Sequence, residues 1–207
     1  MSGRIVGLVL AAGSGRRYGG PKALVVGDDG VPWVAHAIDV LRTGGCDEVV
    51  VVLGAAALEA GALLRESGLG DDTEDDGESA IRVIETEHWA RGIGESLRAG
   101  LTEAARVDPV GVVVTLVDLP ALDRRAVERV IGTPHPPSED ALRQAVYEGR
   151  PGHPVLIGAA HLPALVDSLD GDVGARPYLV AHDVLEVDCT GLGGDDDRDV
   201  PAGRSRS

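Results

Sequence analysis

The sequence predicts an α/β protein, a three-layer α/β/α sandwich whose sheet is mostly parallel with one late antiparallel strand. Three observations carry this. Continuous apolar runs such as "IVGLVL", "EVVVVL" and "VGVVVTLV" suit strands buried on both faces, as parallel strands are. Segments with helical spacing separate them, so the chain alternates strand and helix. Near the end, two strand-like runs are joined by only "EGRPG", too short for a parallel crossover, so one strand must reverse.

Taken in order, residues 5–10 form a first strand bounded by a glycine-rich loop. Residues 32–41 carry apolar positions at helical spacing and stop at Gly44-Gly45, a C-terminal signal. A strand over 48–53 and an Ala- and Leu-rich helix over 55–65 follow. Residues 70–79, "GDDTEDDGES", hold no apolar side chain and are expected to be a mobile surface loop rather than a metal site. A strand at 81–84, a helix at 95–105 and the most apolar strand, 110–117, come next. That strand ends at Asp118-Leu119-Pro120, before a helix over 124–131 and the loop "GTPHPPSED". Strands at 142–147 and 153–157, helices at 159–168 and 174–182, and a strand at 184–187 complete the pattern. Residues 1–190 are expected to form one domain and 191–207 a frayed tail.

The chain of 207 residues has 2% aromatic residues and no Phe, so aliphatic side chains must fill the core. Its net charge of −15 argues against nucleic acid, which needs clustered cations, and against an anionic membrane surface. Much of that acidity serves solubility, and a small anionic ligand needs a local reversal of the field. Cys46 and Cys189 stand far apart with no CxxC or His-rich setting, which argues against a disulfide framework or a zinc site and fits a reducing compartment. The run at 5–12 is too short to span a bilayer and lacks a basic lead-in, so a cytoplasmic location is expected.

Open sheets of this kind bind ligands beyond the carboxyl ends of their strands, which places the loops after Leu10 and Val117 on one rim. The first loop offers small side chains at Ala11, Ala12 and Gly13, and turns at Gly15 and Gly19, so backbone can approach a ligand closely. Arg16 and Lys22 supply charge for a polyphosphate. Both are expected to be exposed and dispensable for folding. The loop fits neither common phosphate motif: Tyr18 stands where a dinucleotide fingerprint wants glycine, and Pro21 separates Gly20 from Lys22. Asp118, at the end of a buried strand, suits Mg²⁺, which takes one or two carboxylates plus phosphate oxygens and water; the alternative is a cap or turn aspartate. His153, in "GRPGHPVLIG", and Asp172, in "DGDVGAR", each have a plain structural reading, the second as a helix N-cap with Arg176 in the first turn.

Together these segments resemble a known family. "LAAGSGRRYGGPKAL" is similar to the LxAGxGxRxGxxKxL signature of nucleotidyltransferases. "VDLP", "GHPVL" and "GDVGAR" resemble the MobA-like NTP transferase branch that includes molybdenum cofactor cytidylyltransferase. The resemblance implies a Rossmann-like nucleotidyltransferase fold and transfer of a nucleoside monophosphate to a phosphorylated acceptor, with Mg²⁺ and pyrophosphate release. It implies Arg16, Lys22 and Asp118 as catalytic groups, and Leu10, Ala11, Ala12, Gly13, Gly15 and Ser96 around the nucleotide. His153, Asp172 and Arg176 would face the acceptor, molybdenum-molybdopterin in the named enzyme. LAAG in place of LAGG, together with GHPV, implies cytidine over guanine nucleotides and hence CTP, and a molybdoenzyme or maturation protein is the implied partner. Where the family often has DxDTPxD, this chain has "DDDRDVP", leaving Asp197 as a second metal ligand. "TEHW" lacks the family's asparagine. The competing readings are transfer of another nucleotide to a sugar phosphate or phospho-acid, an NAD(P)H-dependent reductase on the same scaffold, and a non-catalytic nucleotide-binding protein.

Overall fold

The computed structural model describes residues 3–69 and 80–195. The acidic segment 70–79 and Asp197 lie outside the described residues. Among the described residues seven strands form one sheet in the order β3-β2-β1-β4-β6-β5-β7. They are β1 (Ile5–Ala11), β2 (Glu48–Leu53), β3 (Ile81–Glu85), β4 (Gly111–Leu116), β5 (Leu142–Tyr147), β6 (Arg150–Gly158) and β7 (Leu185–Asp188). Strands β3, β2, β1 and β4 pair in parallel. Only β6 runs against its neighbours, antiparallel to both β4 and β5, and β7 returns parallel to β5. The expected late reversal is therefore β6.

Among the described residues six α-helices cover the two faces: α1 (Trp33–Thr43), α2 (Ala57–Glu66), α3 (Ile93–Ala104), α4 (Arg124–Ile131), α5 (Leu162–Ser168) and α6 (Arg176–Ala181). Strand alternation sorts β1 between two cores. Ile5 and Val9 pack with residues of α1, α2 and α4, while Val6, Leu8 and Leu10 pack with residues of α3, α5 and α6. This is the expected three-layer arrangement, with helices on both faces of a sheet whose inner strands are fully buried.

Several boundaries differ from the sequence reading. β6 begins at Arg150 because Glu148 and Gly149 take left-handed φ of 52° and 75°, making a two-residue hairpin turn where a longer loop was expected. The segment 159–161 is a 3-10 turn ahead of α5, and α6 starts two residues late, at Arg176. Nor does the chain leave the domain at 190. Leu192 is 5% exposed, its carbonyl accepts from the Asp123 amide (2.9 Å), and the Gly194 carbonyl accepts from the His153 amide (3.1 Å).

Both cysteines are free and buried, and burial pushes the Cys46 and Cys189 thiols up. Among the described residues no helix is long and apolar enough to cross a membrane.

The edge of the sheet opposite the loop rim is tied by charge. Glu48, 8% exposed, accepts from Arg4 (2.7 Å) and Arg82 (2.6 Å), and Arg82 also reaches Glu103 of α3 (3.2 Å). Glu48→Gln removes the anion that these guanidinium groups share. It is expected to destabilise by about 1–3 kcal/mol, since the arginines keep some solvent, and to lower Tm by roughly 3–10 °C. Urea denaturation checks this; an unchanged midpoint would show the network to be solvated surface charge.

Candidate active site

β1 and β4 pair in a register that sets Leu10 beside Leu116, and the Val117 amide donates to the Leu10 carbonyl (3.2 Å). The two strands therefore deliver the glycine loop and Asp118 to the same rim, as the sequence predicts. The loop folds onto itself: the amides of Gly19 and Gly20 both donate to the Gly15 carbonyl (2.9 and 3.1 Å). Gly15 has φ of +57°, and a Cβ there would sit 1.8 Å from the Gly20 carbonyl oxygen. Only glycine fits.

Pro21 then leads into a 3-10 turn over Lys22–Leu24. Ala23 is buried at 3% and anchors that turn, so Lys22 projects from a fixed base instead of from the loop itself. This is why proline and a small apolar residue flank the lysine where a P-loop would have glycine and a hydroxyl. Lys22 Nζ lies 2.5 Å from Asp118 Oδ2, with side-chain exposures of 13% and 15%. The expectation that Lys22 is exposed is corrected: its charge is drawn under the loop by the Asp118 carboxylate. Arg16 is exposed as expected.

Asp118 is not a helix cap. The N-cap of α4 is Asp123, whose side chain accepts from the Arg125 amide (2.8 Å). Hydrogen bonding from the Arg125 side chain, with that amide bond and the guanidinium charge, holds the Asp123 carboxyl at about 2.

The cleft around this pair has a volume of about 500 Å³, large enough for a nucleotide-sized ligand. Of the expected residues, Leu10, Ala12, Gly13, Gly15, Arg16, Lys22, Ser96, Asp118 and Asp172 line it. Ala11 is 3% exposed and packs in the core. Ser96, on the first turns of α3, is 5% exposed.

Asp172 comes to the cleft by an unexpected route. α6 is preceded by Ala175 with no side-chain cap, so the N-cap reading of Asp172 is overturned. The 170–174 turn instead docks on the start of α3, where the Gly94 amide donates to the Gly171 carbonyl (2.9 Å). Gly92, at φ +132°, leaves room for it, since a Cβ there would meet Asp172 Oδ1 and the Gly171 carbonyl at 2.4 Å.

His153 and Arg176 lie apart from the cleft, in an adjoining chamber of about 250 Å³ with largely apolar walls. Leu10, Ile93 and Leu116 line both spaces. His153 Nδ1 is 3.3 Å from the Val114 carbonyl oxygen, and the Tyr147 hydroxyl donates to the His153 carbonyl (2.5 Å). Gln144 of β5 also lines the chamber and was not foreseen. Nor were Trp89, Ile93 and Ser14 in the cleft. Of these only Trp89 carried a sequence signal, as an aromatic residue in a chain with almost none.

Among the described residues no three His, Cys, Asp or Glu side chains gather as a ready-made metal cage. The donor set does fit Mg²⁺ bound mainly through phosphate: one carboxylate, Asp118, on a cation-lined cleft, with a second, Asp172, elsewhere in its lining.

Comparisons with known proteins show the family and the fold. Nicotine blue oxidoreductase of Paenarthrobacter nicotinovorans is 34% identical over 183 residues, covering 84% of this chain and 81% of that one. The crystal structure of Rv0371c from Mycobacterium tuberculosis H37Rv superposes with a TM-score of 0.72 at 28% identity, over 97% of this chain and 95% of the other. A manganese complex of Rv0371c gives 0.67 at 26% identity over 95% of both. Residues 7–186 match the MobA-like NTP transferase domain, a span that holds both loops of the rim, the Lys22–Asp118 pair, Ser96, His153, Asp172 and Arg176, and the chain belongs to that family.

Proposed function

We propose that the protein is a Mg²⁺-dependent nucleotidyltransferase that transfers CMP from CTP to a phosphorylated acceptor such as molybdenum-molybdopterin. The observation that carries this reading is the Lys22–Asp118 pair, 2.5 Å apart beneath a glycine loop that turns back on itself. A hard divalent ion would be held by Asp118, and when bound it stabilises the charge that develops on phosphate oxygens. The manganese complex of the mycobacterial protein supports a divalent ion.

In the reaction, an acceptor phosphate oxygen attacks the α-phosphorus in line. A new P–O bond forms as the bond from the α-phosphorus to the bridging oxygen breaks, and pyrophosphate leaves with the electron pair. Arg16 and Lys22 neutralise the charge that grows on the departing group. The chain forms no covalent intermediate; it holds the two ligands and their charges in place. Loop backbone at Ala12 and Gly13 faces the nucleotide, and the LAAG sequence favours cytidine. Arg176 and His153, in the adjoining chamber, face the acceptor. The same site accommodates transfer to another phosphorylated acceptor.

A second reading is favoured by one observation, the 34% identical oxidoreductase: an NAD(P)H-dependent reductase using the same cleft. Thermal-shift measurements with CTP, GTP, ATP, UTP and NADPH, each with and without Mg²⁺, separate the readings, because stabilisation follows ligand concentration over Kd. CTP with Mg²⁺ is expected to give the largest shift. A larger shift with GTP overturns the cytidine assignment, and a response to NADPH alone establishes the reductase.

A further inference from the structure

We infer that Trp89 is the platform on which the nucleobase stacks in the cleft. The inference rests on the nucleotidyl-transfer reading for the presence of a base, and goes beyond it in assigning the residue that receives it. The chain has two tryptophans, three tyrosines and no phenylalanine, and its core is aliphatic. Trp33 is 8% exposed and packs in that core, with Tyr18 edge-on at 5.4 Å. Trp89 packs against the second core but is only partly buried, and it lines the cleft, as Tyr18 does from the loop side.

Its position is fixed by backbone on two sides. Trp89 opens a 3-10 turn between β3 and α3, in which the Arg91 amide donates to the His88 carbonyl (2.9 Å) and the Gly92 amide to the Trp89 carbonyl (3.2 Å). Beneath it lies Gly54, the residue after β2. A Cβ on Gly54 would come within 2.7 Å of Trp89 Cβ and Cγ and of the Ala12 carbonyl oxygen. Bare backbone at Gly54 thus lets the indole settle beside the start of the glycine loop. The Ala55 amide, donating to the Ala12 carbonyl (3.0 Å), ties the same two segments together.

The cleft therefore has a charged part, with Arg16, Lys22 and Asp118, and an aromatic surface at Trp89. A nucleoside triphosphate has the matching division, an anionic chain and a flat base. Stacking on one aromatic side chain strengthens binding by about five- to hundred-fold and tolerates any base. Choice among bases then falls to hydrogen bonds from the loop backbone.

The test compares CTP with inorganic tripolyphosphate, both with Mg²⁺, by calorimetry on the wild type, Trp89→Ala and Trp89→Phe. Trp89→Ala is expected to weaken CTP about five- to hundred-fold and leave tripolyphosphate unchanged, with Trp89→Phe close to wild type. In the unmutated protein CTP should quench tryptophan emission and tripolyphosphate should not, a readout that needs no variant to fold. Equal losses for the two ligands would make Trp89 a prop for the loop and overturn the inference. So would unchanged CTP affinity in Trp89→Ala. A wild type that binds tripolyphosphate but no nucleoside triphosphate would overturn the inference together with the reading beneath it.

Discussion

Under the proposed nucleotidyl transfer, Lys22→Ala is expected to lower pyrophosphate release by about two to three powers of ten. That is the cost of losing one preorganised donor to developing charge. The same substitution is expected to lower Tm, because Asp118, a side chain 15% exposed in the pair, loses its counter-charge. Breaking a pair this well covered costs about 1–3 kcal/mol, between the values for exposed and fully buried pairs, or roughly 3–10 °C in a chain of this size. Arg16→Ala separates the two effects. Arg16 is exposed, so its loss should slow turnover and leave Tm where it was. Near-normal turnover in both variants would reduce the glycine loop to a surface turn.

Asp118→Asn has the opposite balance. Asparagine keeps the size of the side chain and can still accept a hydrogen bond from Lys22, so the fold should survive with a small loss of stability. The negative charge that a hard divalent ion requires is gone. Turnover should fall by about three powers of ten or more, in line with removing a metal's stabilisation of phosphate charge. CTP should still bind weakly through Lys22, Arg16 and the loop backbone. An active Asp118→Asn would make Asp118 only the structural partner of Lys22.

The parts of the site legible in the sequence were those where residue type and position on the sheet coincide. A buried apolar strand had to end at Asp118, another at the glycine loop, and the rule for open sheets put both on one rim. The parallel pairing of Leu10 with Leu116 brings both strand ends to that rim. Burial of Lys22 was not legible, because it depends on a salt bridge to a residue 96 positions away. Asp172 misled for a similar reason: an aspartate before a helix looks like a cap. Yet its turn is held by the far-off Gly92 and Gly94, which only the packed structure brings near. The start of β6 was missed because left-handed φ at Glu148 is rare outside glycine and asparagine, so a two-residue turn was not expected there. Trp89 carried a compositional hint, but its place in the cleft depends on the missing side chain at Gly54.

In the proposed reaction Asp118 and the glycine loop together bind a metal–nucleoside triphosphate. That claim is tested most directly by the CTP-induced rise in Tm as a function of Mg²⁺ concentration, in the wild type and in Asp118→Asn. The wild type should show a rise that grows with Mg²⁺ and saturates, while Asp118→Asn should show a small rise independent of Mg²⁺. Identical curves for the two proteins would contradict the claim.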